Sequence, residues 1–193
     1  MDRQPTRVPN PSREGSSAAG RCLAVDIGGT KMAVGVVDAD GVLHERRSCP
    51  TPRSDDAEEL FATVTGLLEP LRPFDAYRAC GVGCGGPMTA GGLAVSPLNI
   101  RAWRDFPLTA RLAEHTGLAT RVDNDAKALA LAEGWVGAAA GCTDFMAMVV
   151  STGVGGGIVL DGRLLDGATG NAGHIGHVVV AVPEASASRT PVT

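Results

Sequence analysis

Asp26-Ile27-Gly28-Gly29-Thr30-Lys31 is the stretch that decides the fold. An apolar run, Cys22 to Ile27, feeds into it, and a second, Met32 to Val37, leaves it. That order predicts two strands joined by a tight turn, because Gly-Gly is a favoured hairpin pair. Two adjacent glycines let backbone N–H groups approach a bound group with no Cβ in the way. Thr30 adds a hydroxyl, Lys31 a cation, and Asp26 ends the first strand where a carboxylate can reach a metal ion. This is the chemistry of a phosphate loop built on a β-hairpin. It differs from the Gly-x-x-x-x-Gly-Lys-Ser/Thr loop, which opens a helix. Read alone, the same residues also describe a hairpin turn with no ligand.

The device recurs in the second half of the chain. Met146 to Val150 is apolar, meets Ser151-Thr152-Gly153-Val154-Gly155-Gly156-Gly157, and continues as Ile158 to Leu160 and an Asp161-Gly162 turn. The first copy likewise ends in a turn, Asp38-Ala39-Asp40-Gly41. Two copies predict two related lobes, each presenting a hairpin turn to one ligand. That is the logic of a nucleotide gripped in a cleft.

Strands are predicted at about 22–27, 32–37 and 42–47 as an antiparallel meander. The clearest helix is 55–71, where Ala57, Leu60, Phe61, Val64, Leu67, Leu68 and Leu71 share one face. Ser54 is the expected cap, and Pro70 and Pro73 mark the exit. A short buried strand at 79–82 ends in Gly83-Cys84-Gly85-Gly86-Pro87. A helix over 108–116 is stopped by Gly117. A strand at 120–122 runs into Asp123-Asn124-Asp125 and a helix of about 125–138, with Ala128, Leu129, Leu131, Ala132 and Trp135 as its apolar side. Alternation of strand and helix after a meander gives an α/β fold with a mixed sheet. Residues 1–20, rich in Pro, Ser, Arg and Gly, are expected to form a disordered leader.

Composition narrows the function. Net charge is −4 with no basic block, which argues against a nucleic-acid face. There is no signal peptide, and no apolar run approaches the length of a membrane span, so the expectation is a cytoplasmic chain with no membrane partner. Five cysteines, an odd number in scattered apolar contexts, fit a reducing compartment better than a disulfide framework.

Asn124-Asp125 stands where a strand ends and a helix begins. Helix capping explains both residue types. So does a general base, because ligands of α/β proteins bind at the carboxyl ends of strands.

The ordered set Asp-Ile-Gly-Gly-Thr-Lys, Gly-Val-Gly-Cys-Gly-Gly-Pro, Asn99 four residues before Trp103, Asp-Asn-Asp-Ala, Ser-Thr-Gly-Val-Gly-Gly-Gly and Gly-Asn-Ala-Gly-His-Ile-Gly-His resembles the ROK family of sugar kinases and repressors over residues 21–182. The resemblance implies an actin-like (ribonuclease H-like) ATPase fold of two lobes. On that pattern residues 21–119 are the N-terminal lobe with the first phosphate loop. Residues 120–193 are a partial C-terminal lobe with the catalytic Asp and the second loop. It implies ATP-dependent, Mg²⁺-assisted phosphorylation of a hexose, glucose first, with a homodimer as a further expectation. By the same resemblance Asp125 takes the proton from the sugar hydroxyl. Gly85, Gly86, Asn99, Asn124, His174 and His177 border the sugar. Gly28, Gly29, Thr30 and Lys31 contact phosphates from one lobe, and Thr152, Gly153, Gly155 and Gly156 from the other. Asp26 helps place Mg²⁺ through water.

Two departures stand out. The family pattern has Glu where this chain has His174; a carboxylate accepts from two hydroxyls, a neutral imidazole accepts one bond and donates one. His177 matches the family's zinc-binding histidine, but residues 178–193 contain no Cys, so the family's Cys-x-Cys-x₄-Cys partners are missing and a histidine without metal is expected. A convincing strand at 178–182 is followed by a patternless tail, 183–193, which reads as a second lobe left incomplete by a truncated or frameshifted gene. The readings carried forward are a glucokinase-like enzyme, an N-acylhexosamine kinase, an inactive sugar-binding fragment and, least, a sugar-responsive repressor. The last would need a helix-turn-helix before the first loop.

Overall fold

The computed structural model describes residues 20–150 and 153–178. The expected leader (but for Gly20), Thr152, and the expected strand and tail beyond Val178 lie outside the described residues.

β1 (Cys22–Ile27), β2 (Lys31–Val37) and β3 (Leu43–Pro50) form the antiparallel meander. β4 (Cys80–Cys84) and β5 (Thr120–Asn124) then add in parallel, giving a five-stranded sheet in the order β3-β2-β1-β4-β5. β3 is longer than the expected 42–47 because its pairing with β2 continues to Lys31 opposite Pro50. β5 hydrogen-bonds to β4, so residues 120–124 belong to the first sheet. The chain leaves that sheet through α3 (Asp125–Val136). β6 (Phe145–Val150), β7 (Val154–Leu160) and β8 (Arg163–Leu164) make a second, antiparallel sheet.

One face of the first sheet carries the core. Leu23, Val25, Ile27, Met32, Val34, Val36, Val82 and Val122 alternate inward beneath α1 (Ala57–Leu68) and α2 (Leu108–Thr116). From α1 come Leu60, Phe61, Val64 and Leu68, and from α2 Leu108 and Leu112. Burying such a side chain contributes about 1.5–3 kcal/mol. Trp103 is fully buried, stacks on Phe106 at 4.6 Å, and donates from Nε1 to the Ala57 carbonyl at 3.1 Å, pinning the start of α1. Asp56, not Ser54, caps α1 by accepting from Glu58 N at 2.8 Å; Ser54 instead accepts from Asp56 N and donates to Glu59. α2 ends at Gly117, whose φ of 71° needs a residue without Cβ.

The expected apolar side of α3 is not what it buries. Its buried residues are Ala126, Lys127 and Ala130, while Leu131 and Trp135 are half exposed. The reason is the glycine-lined strand beside it. A Cβ at Gly155 would come within 3.1 Å of Ala126 Cβ, and one at Gly157 within 2.5 Å of Ala130 Cβ. Small residues on both partners bring helix and strand together, so the small side of the helix, not the large one, faces inward.

Cys80 and Cys84 are buried, and burial pushes both thiols up to about 12. The thiolate is the reactive form. At pH 8 iodoacetamide should therefore label the exposed Cys142 first and leave Cys80 and Cys84 untouched until denaturant is added. Peptide mass mapping checks this, and early modification of Cys84 would contradict the packing at the end of β4.

Candidate active site

The opposite face of the first sheet is small and polar. Asp26, Gly83 and Asp123 are lateral neighbours on β1, β4 and β5, so the Asp26 and Asp123 side chains share that face on either side of Gly83. Gly83 leaves space above itself: Asp125 Cα lies 3.5 Å from where a Cβ would stand. The missing side chain lets the start of α3 settle over β4 and brings the Asp125 carboxylate toward Asp26. Both line an open cavity of about 810 Å³.

Asp26 reaches solvent, yet its carboxyl is held above the ordinary range. Partial desolvation by burial is the main cause; Asp125 adds to it, and Lys31 and Arg46 oppose it. The same two carboxylates reinforce the shift of Cys84, so the three groups share one neighbourhood. A strand-end carboxylate facing an open cavity is a natural seat for a cation. Mg²⁺ is commonly held by one or two carboxylates plus substrate phosphates. Asp26, near the end of β1 and reaching solvent, is a carboxylate that fits that need.

Asn124 is the N-cap of α3: its Oδ1 accepts from Ala126 N at 3.0 Å and from Lys127 N at 3.4 Å. With Oδ1 engaged, Nδ2 is left on the Gly86 side, 3.6 Å from where a Gly86 Cβ would be. His174 Nε2 lies 3.1 Å from the same point. Gly86, Asn124 and His174 therefore meet, and a Cβ at residue 86 would fill the space between them. Gly85 belongs to the same loop, which is tied to the Asn99 segment through Leu98 N donating to the Gly86 carbonyl at 3.3 Å.

The first turn is held from both sides. Gly28 N donates to the Lys31 carbonyl, Thr51 Oγ1 donates to the Gly28 carbonyl at 2.6 Å, and Thr51 N donates to the Thr30 carbonyl. A Cβ at Gly29 would collide with Asn99 Cβ. The residues expected to hold sugar and phosphate thus abut, which their separation in sequence did not reveal. Gly29, Thr30, Lys31 and Asn99 are all exposed.

Of the second turn, Gly153 is described and open, whereas Gly155 and Gly156 lie inside β7. Gly155 packs on α3, and Gly156 N donates to the Gly173 carbonyl at 2.8 Å. A Cβ at Gly156 would come within 3.0 Å of Ile175 Cδ1 and 3.1 Å of the Ala147 carbonyl, so both glycines have structural reasons to lack side chains.

His177 is in a single 3₁₀ turn, Ile175–His177, with its ring edge-on to His174 at 6.1 Å. Among the described residues no group of three or more His, Cys, Asp or Glu could hold a metal ion, so the described surroundings do not fit a zinc site at His177.

Sequence reading missed Lys127, whose side chain is 2% exposed. Its Nζ meets Asp166 Oδ1 at 2.6 Å, Asp123 Oδ1 at 3.0 Å and the Gly170 carbonyl at 3.2 Å. Burial works against the charge, but the Asp166 and Asp123 carboxylates outweigh it and hold the ammonium above its usual range. The available signal was a lone cation within the apolar run Ala126 to Ala132.

Parallel β1-β4-β5 extended by an antiparallel meander, with a glycine turn and a strand-end carboxylate at one edge, define the actin-like ATPase fold. The ROK family model matches residues 22–190, and the chain belongs to the ROK family. It is 44% identical over 157 residues to an N-acetylmannosamine kinase of Citrobacter koseri, covering 81% of this chain and 53% of that protein. Its structure is similar to a ROK family glucokinase from Streptomyces griseus in complex with glucose and AMPPNP (TM-score 0.75, 33% identity, 84% of this chain and 51% of that one). It is also similar to the ROK hexokinase from Thermus thermophilus (TM-score 0.72, 36% identity, 83% and 54%). The chain spans about half the length of the curated relatives it matches. Among the described residues no helix is long and apolar enough to cross a membrane.

Proposed function

We propose that this chain binds a hexose and ATP and supplies the general base for ATP-dependent phosphorylation of the sugar. The observation that carries the reading is the meeting of Asn124, Gly86 and His174 at the end of the parallel strands, with Asp125 over Gly83 at the same end and Asp26 and the Gly28–Lys31 turn beside them. Asp125 accepts the proton of the attacking hydroxyl, the freed oxygen bonds to the γ-phosphorus, and ADP leaves. Phosphoryl transfer asks chiefly for alignment and charge neutralisation. With the Gly28 N–H closing the turn on the Lys31 carbonyl, the Gly29 N–H and the Lys31 ammonium supply positive charge for the phosphates; Thr152 and Gly153 would complete the grip from the second turn. Mg²⁺ bound near Asp26 would neutralise phosphate charge.

Glucose is the expectation from the family pattern. The Citrobacter koseri relative favours a second reading, a hexose carrying an acylamino group at C2. His174 gives that reading a physical basis. Where Glu can only accept hydrogen bonds when ionised, a neutral imidazole can donate one to an amide carbonyl. A mismatched hydrogen bond costs about 1–3 kcal/mol, or roughly 5- to 150-fold. His174→Glu should therefore shift the ratio of kcat/KM for glucose over N-acetylmannosamine upward by about tenfold or more. Coupled ADP-release assays on both sugars measure it. An unchanged ratio removes His174 from the choice of sugar, and the absence of sugar-dependent ADP release in the parent chain would favour an inactive sugar-binding fragment.

A further inference from the structure

The segment from Asp166 to His177 has little regular structure, yet it delivers both histidines to the site. Ala172 N donates to the Asp166 carbonyl at 3.0 Å, closing the segment on itself. Asn171 reaches across to the Gly86-Pro87-Met88 loop: its Oδ1 accepts from Met88 N at 3.4 Å, and its Nδ2 donates to the Met88 carbonyl at 3.3 Å. The Gly173 carbonyl accepts from Gly156 N. Each of these tethers is a neutral contact at a backbone group. The charged one is Lys127, which holds the segment at both Asp166 and Gly170 while gripping Asp123 on β5.

Lys127 is two residues from Asp125 in the same first helical turn. Its ammonium has three donors and meets three acceptors, one on the sheet and two on the histidine-bearing segment. One side chain therefore ties the sheet edge that carries the acid to the segment that carries the imidazoles. The stem is buried, while the Asp166 side chain is 69% exposed and contributes nothing to the core. An exposed aspartate with a packed lysine as its partner is a latch that can be cut from the outside.

We infer that Lys127, latched to Asp166 and Gly170, is the positioning residue that fixes His174 against Gly86 and Asn124, with His177 carried on the same segment beside it. The inference rests on the sugar-binding reading of those residues for its functional consequence, but not for its structural one.

Two variants test it. Asp166→Ala removes the exposed half of the latch without opening the core, and Lys127→Met keeps the apolar stem while deleting the charge. Amide hydrogen exchange is measured in each, beside isothermal titration with N-acetylmannosamine and with glucose. The expected result is exchange at least about tenfold faster at Ala172, Gly156 and His177, with amides of β1, β2 and β4 unchanged within twofold. Sugar Kd should rise at least fivefold while affinity for an ATP analogue holds within twofold. Unchanged exchange at Ala172 and His177 in folded Asp166→Ala overturns the latch. So does a rise shared equally by the first sheet, which marks general loosening. Faster local exchange with unchanged sugar Kd also overturns the positioning role. If the parent chain binds neither sugar, the proposed function fails, and the amide pattern alone still decides whether the latch exists.

Discussion

Asp125→Asn is expected to lower the turnover of sugar phosphorylation by about 10²–10⁴-fold, the usual contribution of a positioned general base. Sugar affinity should change by no more than a few-fold. The substitution keeps the shape of the side chain and removes its charge and its ability to take a proton. The structure separates this role from helix capping, which the sequence leaves entangled with it. Asn124 does the capping, with Oδ1 on the amides of Ala126 and Lys127. Asp125 adds a bond to Ala126 N at 2.8 Å and a first-turn charge, worth roughly 0.3–1 kcal/mol at an exposed helix start. Melting temperature and kcat measured on one preparation decide the matter. A variant that turns over within a few-fold of an active parent would remove Asp125 from the proton transfer.

Gly29→Val is expected to weaken binding of both nucleotide and sugar, each by about 10- to 100-fold. A branched side chain in the turn blocks the close approach of a phosphate to backbone N–H groups. It must also displace Asn99, whose Cβ occupies the space a Gly29 side chain would enter. Overpacking of that kind typically costs about 1–3 kcal/mol, which sets the range. The joint loss is the distinctive part. Titration with an ATP analogue and, separately, with sugar reads it directly. Loss of nucleotide binding alone would mean that Asn99 relaxes without consequence for the sugar. Parental affinity for both in a folded variant would show that the turn is no phosphate loop.

Local chemistry made the hairpins, α2 and the strand-to-helix step at Asn124 legible in the sequence. Gly-Gly, Asp-Gly and the Gly117 stop are short-range signals, and each operates where it is read. The allegiance of Thr120–Asn124 was not legible, because strand partners are chosen by the whole sheet. Nor was the buried side of α3. Periodicity points to its largest apolar residues, but burial there follows the partner, and β7 offers glycines that only Ala126 and Ala130 can approach. In the site, Asp26, Gly86, Asn124, Asp125 and His174 could be proposed from motif order, and the structure brings them near one another. The contact between Gly29 and Asn99, and the Lys127 latch, emerge only in the folded chain, since both join residues with no common pattern in the sequence.

The contact between α3 and β7 also bears on how such a gene can drift. Any single-base change that alters a glycine codon adds volume, and from an alanine codon only the change to glycine subtracts it. At Gly157, where added atoms meet Ala130 Cβ as well as the Ala126 carbonyl at 2.9 Å, no larger residue has room. A compensating swap would need two codons to change together, through an intermediate with either a clash or a hole. The helix that begins at Asp125 is therefore held in place by a neutral-walk barrier as well as by its packing.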